Sequence, residues 1–183
     1  MTYYGAKELA ESFRTVRKNT ILVAEDIPEA QYGYRAAPEM RSVAELFIHL
    51  LNTPTMGERI HGKEALTTLE GFDFMTLFTQ MLAKEKEPRT KAQIVDSLKT
   101  EGERTANWLG SLTDEFLAQR VTFPAGMNPP SKTRFEMLLG MKEHEMHHRG
   151  QLMLIERIIG ITPHLTRDMQ ARIAQMQQAK ATA

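Results

Sequence analysis

Residues 143–151 read EHEMHHRGQ and hold three of the chain's six histidines. In a helix, His144 and His148 share one face, with Cβ atoms about 5–6 Å apart, so both imidazoles can reach one metal ion. Met137, Met141, Leu152, Ile155 and Ile159 fall on the same stripe at steps of three or four, which marks it as core-facing. Two imidazoles in a core stripe cannot both be buried and protonated at low cost, so they require hydrogen-bond partners or a cation. A third imidazole is available upstream. His49 lies between Leu46 and Thr53 on one face of another amphipathic segment, where a leucine would ordinarily sit. One histidine there plus the pair on the later helix gives three neutral nitrogen ligands. The fourth position stays open for water or substrate, as in catalytic zinc sites.

The same nine residues contain H-E-x-x-H, the zinc-protease spacing, in which Glu145 would act as general base through a metal-bound water. The rest of a protease is missing. The metzincin continuation would place Gly and His where Gln151 and Leu154 stand, and no upstream strand offers itself to a peptide. A zincin-like metallopeptidase is therefore the weaker alternative, with Glu145 kept as a candidate base. His147 points about 100° away from His148 and cannot share its ion. His61 and His164 sit in loop-like contexts and are expected to be exposed to solvent.

Helices must carry these residues. Residues 6–24 place Leu9, Phe13, Val16 and Thr20 at helical spacing. Ser42 and Glu45 form a capping box at the head of the segment carrying Leu46, Phe47, His49, Leu50 and Leu51, and Pro54 predicts a kink in it. Residues 72–87 form a shorter helix stopped at Pro88. Thr90 and Gln93 cap another, with Ile94, Leu98, Ala106, Leu109 and Leu112 facing inward. Residues 121–132 hold three prolines and a glycine and read as a loop, with a brief extended stretch at 121–123. A long helix then spans about 133–159, with Gly160 at its C′ position and Pro163 preventing continuation. Residues 167–183 form a last helix or a tail. With no strand-type alternation, the chain reads as one all-α domain over residues 1–183, a four-helix bundle with short extra helices in its connections. About thirty residues connect the second and third long helices, so those two need not be antiparallel neighbours.

Composition narrows the chemistry. Lys plus Arg equals Asp plus Glu at 23 each, and no basic patch is interleaved with aromatics, so neither nucleic acid nor an anionic membrane is an expected partner. The absence of cysteine excludes disulfides, thiolate ligands and a cysteine nucleophile, so any reacting thiol must arrive with a substrate. No apolar run approaches the roughly 20 residues of a membrane span, and the first residues do not resemble a signal peptide. The expected location is cytoplasmic.

With His49 and the run HEMHHRGQL in place, the sequence resembles the DinB family of DinB/YfiT-like metalloenzymes. SVAELFIHLLN is similar to that family's second helix, TKAQIVDSLKTEGERTANWL to its third, and FEMLLGMKEHEMHHRGQLMLIERIIGITP to its fourth. The resemblance implies an up-down-down-up bundle and a divalent-metal site on His49, His144 and His148. Zinc or nickel is the leading candidate, and iron or manganese the next. It also implies that Gly150 allows a close helix approach, that the chain pairs as a homodimer, and that it acts on a small molecule. The activities implied are transferase or isomerase reactions using a low-molecular-weight thiol, and the expected function is a thiol-dependent S-transferase or a hydrolase acting on a small molecule. A non-catalytic, stress-associated metal-binding bundle is the alternative from another class. Tyr34, Trp108, Arg149 and the loop 121–132 are possible pocket residues, with packing or solvent-facing roles expected first.

Overall fold

Side-chain caps decide where the long helices begin. At the head of α2 (Val43–His61), Ser42 accepts from the Glu45 amide at 3.2 Å and Glu45 accepts from the Ser42 amide at 2.8 Å. Thr90 and Gln93 exchange the same two bonds before α4 (Lys91–Gly110). Thr133 and Glu136 do so before α6 (Arg134–Ile158). Each box satisfies two amides that a helix start leaves without an intrahelical partner. The structure, a computed structural model, describes residues 4–181, and within these the remaining α-helices are α1 (Ala6–Asp26), α3 (Phe74–Glu85), α5 (Asp114–Ala118) and α7 (His164–Ala181), with one turn of 3-10 helix at Glu29–Gln31.

α6 stops as its sequence requires. Gly160 takes φ +86°, its amide donates to Arg157 O at 3.1 Å, and the Ile161 amide donates to Glu156 O at 2.7 Å. Those two bonds close the helix end and need a left-handed residue between them. α2 continues through Pro54 to His61. Residues 121–132 are less irregular than expected. Arg120–Thr122 (β1) pairs antiparallel with Ser131–Thr133 (β2), placing Val121 opposite Lys132. Three residues are too few for alternation to reveal the second strand.

The apolar faces gather in three clusters. Leu9, Ala10 and Phe13 from the first half of α1 pack with Ala106 and Leu109 late in α4 and Leu138 early in α6. Val23 and Ala24 from its second half, with Ile27 just past its end, pack with Leu46, Phe47 and Leu50 of α2, Ile94 and Leu98 early in α4, and Leu152 and Ile155 late in α6. Ile60, Leu69 and Val121 close the far end of α2. No described helix is long and apolar enough to cross a membrane.

A buried ion pair sets the rotation of α6. Arg17 of α1 donates from Nε and Nη2 to the two carboxylate oxygens of Glu145, at 2.8 and 2.9 Å, and its Nη1 donates to Leu98 O at 3.2 Å. Gly102 makes room for this arginine, because a Cβ there would stand 2.6 Å from Arg17 Cγ. Successive helical residues differ by about 100°, so turning Glu145 toward α1 turns His144 and His148 toward α2.

Candidate metal centre

The three histidines of the sequence reading meet across the α2–α6 interface. His49 Nε2 lies 3.1 Å from His144 Nε2, and His148 Nε2 lies 3.2 Å from the same atom. One potential ligand atom from each falls within 4.8 Å of the others. A tetrahedral ion with metal–nitrogen bonds of about 2.0–2.1 Å holds its nitrogens about 3.3–3.4 Å apart, close to this spacing.

The opposite ring nitrogens all have oxygen partners. His49 Nδ1 lies 2.7 Å from Glu85 Oε1, and a carboxylate can only accept, so the hydrogen belongs on Nδ1. Thr53 donates its single hydroxyl hydrogen to His49 O at 3.2 Å, so toward His144 Nδ1, also at 3.2 Å, it accepts. His148 Nδ1 donates to Gln151 Oε1 at 2.8 Å. All three hydrogens therefore point outward, and three Nε2 lone pairs face one another. Such a donor set fits a divalent cation, and oxygen partners of this kind orient metal-ligating imidazoles.

Electrostatics agree with the geometry. Burial is the largest cause in each case and holds all three imidazoles below their ordinary pKa. His144, burdened also by the neighbouring His148 and His49, falls to about 4. Metal ligation requires neutral imidazole, and these groups are neutral at pH 7. Arg41 steadies the outer rim: its Nε donates to Glu85 Oε2 at 2.7 Å while Glu85 Oε1 takes the His49 hydrogen.

His49 and His144 line one end of a cavity of about 470 Å³ with mainly apolar walls from Met56, Ile60, Phe78, Met81, Met137 and Met141. His148 and Gln151 border a second, more polar hollow of about 380 Å³, which shares Arg41 and Glu85 with the first. The imidazoles are thus reachable and not sealed in the core.

Other residues fall elsewhere. Glu145 is 2% exposed and both its oxygens already accept from Arg17, on the α1 side of the helix and outside the cavity lining. His147 is exposed; its ring centre lies 4.9 Å from that of His148, edge to face, and its Nε2 lies 3.3 Å from Gln151 Nε2. His61 and His164, expected at the surface, are each 3% exposed. His61 occupies the last turn of α2 beneath Arg134, and His164 opens α7 against Asn19 of α1. A position near a helix end misleads when another element covers that end. Gly150 does not serve a close approach, since a Cβ there would meet nothing within 4 Å. Neither Tyr34, Trp108, Arg149 nor the loop 121–132 lines the cavity. Tyr34 and Trp108 pack against the core clusters, and Arg149 donates to Val16 O. The sequence reading missed Glu85, Thr53 and Gln151. Thr53 is four residues from His49 and Gln151 three from His148, so helical spacing could have found both. Glu85 arrives on α3, and no local pattern announces it.

Comparison with known proteins gives concordant matches. The family model described as the DinB superfamily matches residues 12–152. The uncharacterized protein YjoA of Bacillus subtilis (strain 168) is 25% identical over 157 residues, covering 86% of this chain and 92% of YjoA. The crystal structure of that DinB-like protein superimposes with a TM-score of 0.62 at 25% identity, covering 85% of this chain and 93% of the other.

Proposed function

This chain belongs to the DinB superfamily, and we propose that it is a divalent-metal enzyme acting on a small molecule through an open site on His49, His144 and His148. The observation that carries the reading is the convergence of three Nε2 lone pairs, their hydrogens fixed outward by Glu85, Thr53 and Gln151, at the polar end of an apolar cavity. Zinc or nickel suits an all-imidazole donor set.

When bound, the ion supplies a Lewis-acid position that lowers the pKa of a coordinated water or thiol. The chain's own residues do the rest. Glu85 and Gln151 hold the imidazoles in the ligating tautomer, Arg41 holds Glu85, and the methionine-lined walls exclude water while adapting to an apolar body. The chain has no cysteine, so a thiol-dependent transfer would use a thiol that enters as a small molecule.

We read α1, α2, α4 and α6 as a four-helix bundle of up-down-down-up order within one domain. The shared clusters support this: starts of α1 and α6 pack with the end of α4, and ends of α1 and α6 pack with the starts of α2 and α4.

Metal analysis of the purified protein beside His49→Ala and His148→Ala tests the site. The expected result is one divalent ion per chain in the parent and little in either variant. Full stoichiometric metal in both variants would overturn the reading. Chelation then separates catalysis from structure: a melting temperature that collapses on metal removal would argue for an ion that chiefly holds the fold together.

A further inference from the structure

The end of the cavity away from the imidazole cluster is built around a buried cation without a counter-ion. Arg134, the first residue of α6, is fully buried. Its guanidinium donates to Gln119 Oε1 at 3.1 Å, Ala65 O at 2.8 Å and His61 Nδ1 at 3.1 Å, and lies 4.5 Å from the Phe116 ring centre. Each of these is neutral, and no carboxylate pairs with Arg134 among the described residues. Buried charges are ordinarily paired, because an unpaired one keeps its desolvation cost uncompensated.

That arrangement also fixes the chemistry of His61. Arginine only donates, so His61 Nδ1 must accept, and the ring hydrogen sits on Nε2. Burial, and then the Arg134 charge, push the His61 pKa down to about 4, so the ring is neutral at pH 7. His61 lines the same cavity as His49 and His144, and its Nε2 has no partner among the described residues. The cavity therefore ends in a fixed N–H donor with a positive charge directly behind it.

The two polar ends are well separated. His49 and His61 lie twelve residues apart on α2, about 18 Å along the axis. His144 and Arg134 lie ten residues apart on α6, about 15 Å. Met56, Ile60, Phe78, Met137 and Met141 wall the space between, and Gly140 leaves it open, since a Cβ there would meet nothing within 4 Å.

We infer that the cavity takes an elongated molecule with a metal-binding head, an apolar body and an anionic tail such as a carboxylate, to which His61 Nε2–H donates while Arg134 supplies the counter-charge. The head rests on the metal reading above. The tail rests on His61 and Arg134 alone.

The test compares two alkanehydroxamates with bodies about 15 Å long, one ending in a carboxylate and one in its methyl ester, titrated by calorimetry into zinc-loaded and chelator-treated protein. The acid is expected to bind the parent about tenfold more tightly than the ester, because a charge-assisted hydrogen bond is gained. The preference should survive metal removal at weaker overall affinity, vanish in His61→Phe and return in part in His61→Gln, which keeps an N–H donor. Equal binding of acid and ester by the parent would overturn the inference even if no variant folds, as would an undiminished preference in a folded His61→Phe. The two readings fail separately. Zinc that strengthens neither probe removes the metal reading while the acid preference of the metal-free protein still decides the tail. Zinc that strengthens both probes equally, with no acid preference, removes the tail alone.

Discussion

Glu145 stands inside an H-E-x-x-H motif yet is paired away from the imidazoles, and its replacement separates a base from a strut. Arg17 and Glu145 are 3% and 2% exposed and joined by two bonds of 2.8 and 2.9 Å. Removing one partner of such a pair strands the other charge without water, at about 3–5 kcal/mol. Glu145→Gln keeps the volume and one acceptor, so it should fall at the low end, and Arg17→Met at the high end. In a chain of this size each kcal/mol moves the melting temperature by about 2–4 °C, so losses of roughly 6–20 °C are expected. The double variant Arg17→Met/Glu145→Leu removes both charges together and should recover most of the loss, since replacing a buried pair by apolar residues is often neutral or stabilising. Urea denaturation of the parent, both single variants and the double variant gives the coupling energy, with bound metal measured on the same samples. Metal content should stay at the parental level in Glu145→Gln. A loss in Glu145→Gln below about 1 kcal/mol, or a double variant no more stable than the singles, would refute the argument.

Thr53→Val removes the acceptor that fixes the His144 tautomer while preserving shape, so metal affinity should fall about 10–100-fold with little change in the metal-free melting curve. Competition against a chromophoric chelator measures it. Gly140→Ala adds a methyl group in open space on a helix interior, so it should stabilise the fold by about 0.5–1 kcal/mol while weakening binding of bulky ligands in the cavity. Glu156 is buried with neither oxygen partnered among the described residues, and burial, then Asp26, raises its pKa to about 7. Because its folded value lies above the ordinary carboxylate value, the protonated form contributes stability below about pH 4.5 that is lost as pH rises through 7. Glu156→Gln should match the parent near pH 5 and melt at a higher temperature near pH 8, and pH-resolved thermal denaturation checks the crossover.

What the sequence determined is what lies within one helical turn. The capping pairs Ser42–Glu45 and Thr90–Gln93, the αL position of Gly160, and the shared face of His144 and His148 all follow from bonds or spacings of a few residues. His49 was legible for a related reason, since a histidine in a leucine's place on a core stripe demands an explanation wherever its partner lies. The tertiary structure alone decided what faces each group from another element. It brought Glu85 from α3 to His49, turned Glu145 onto Arg17, and covered His61 with Arg134. It also left Gly150 with nothing within 4 Å of a Cβ placed there, although the family resemblance implied a close approach. Helical periodicity fixes the direction of a side chain relative to its own axis, but carries no information about which chain segment will stand opposite, because that depends on how all the apolar faces pack at once.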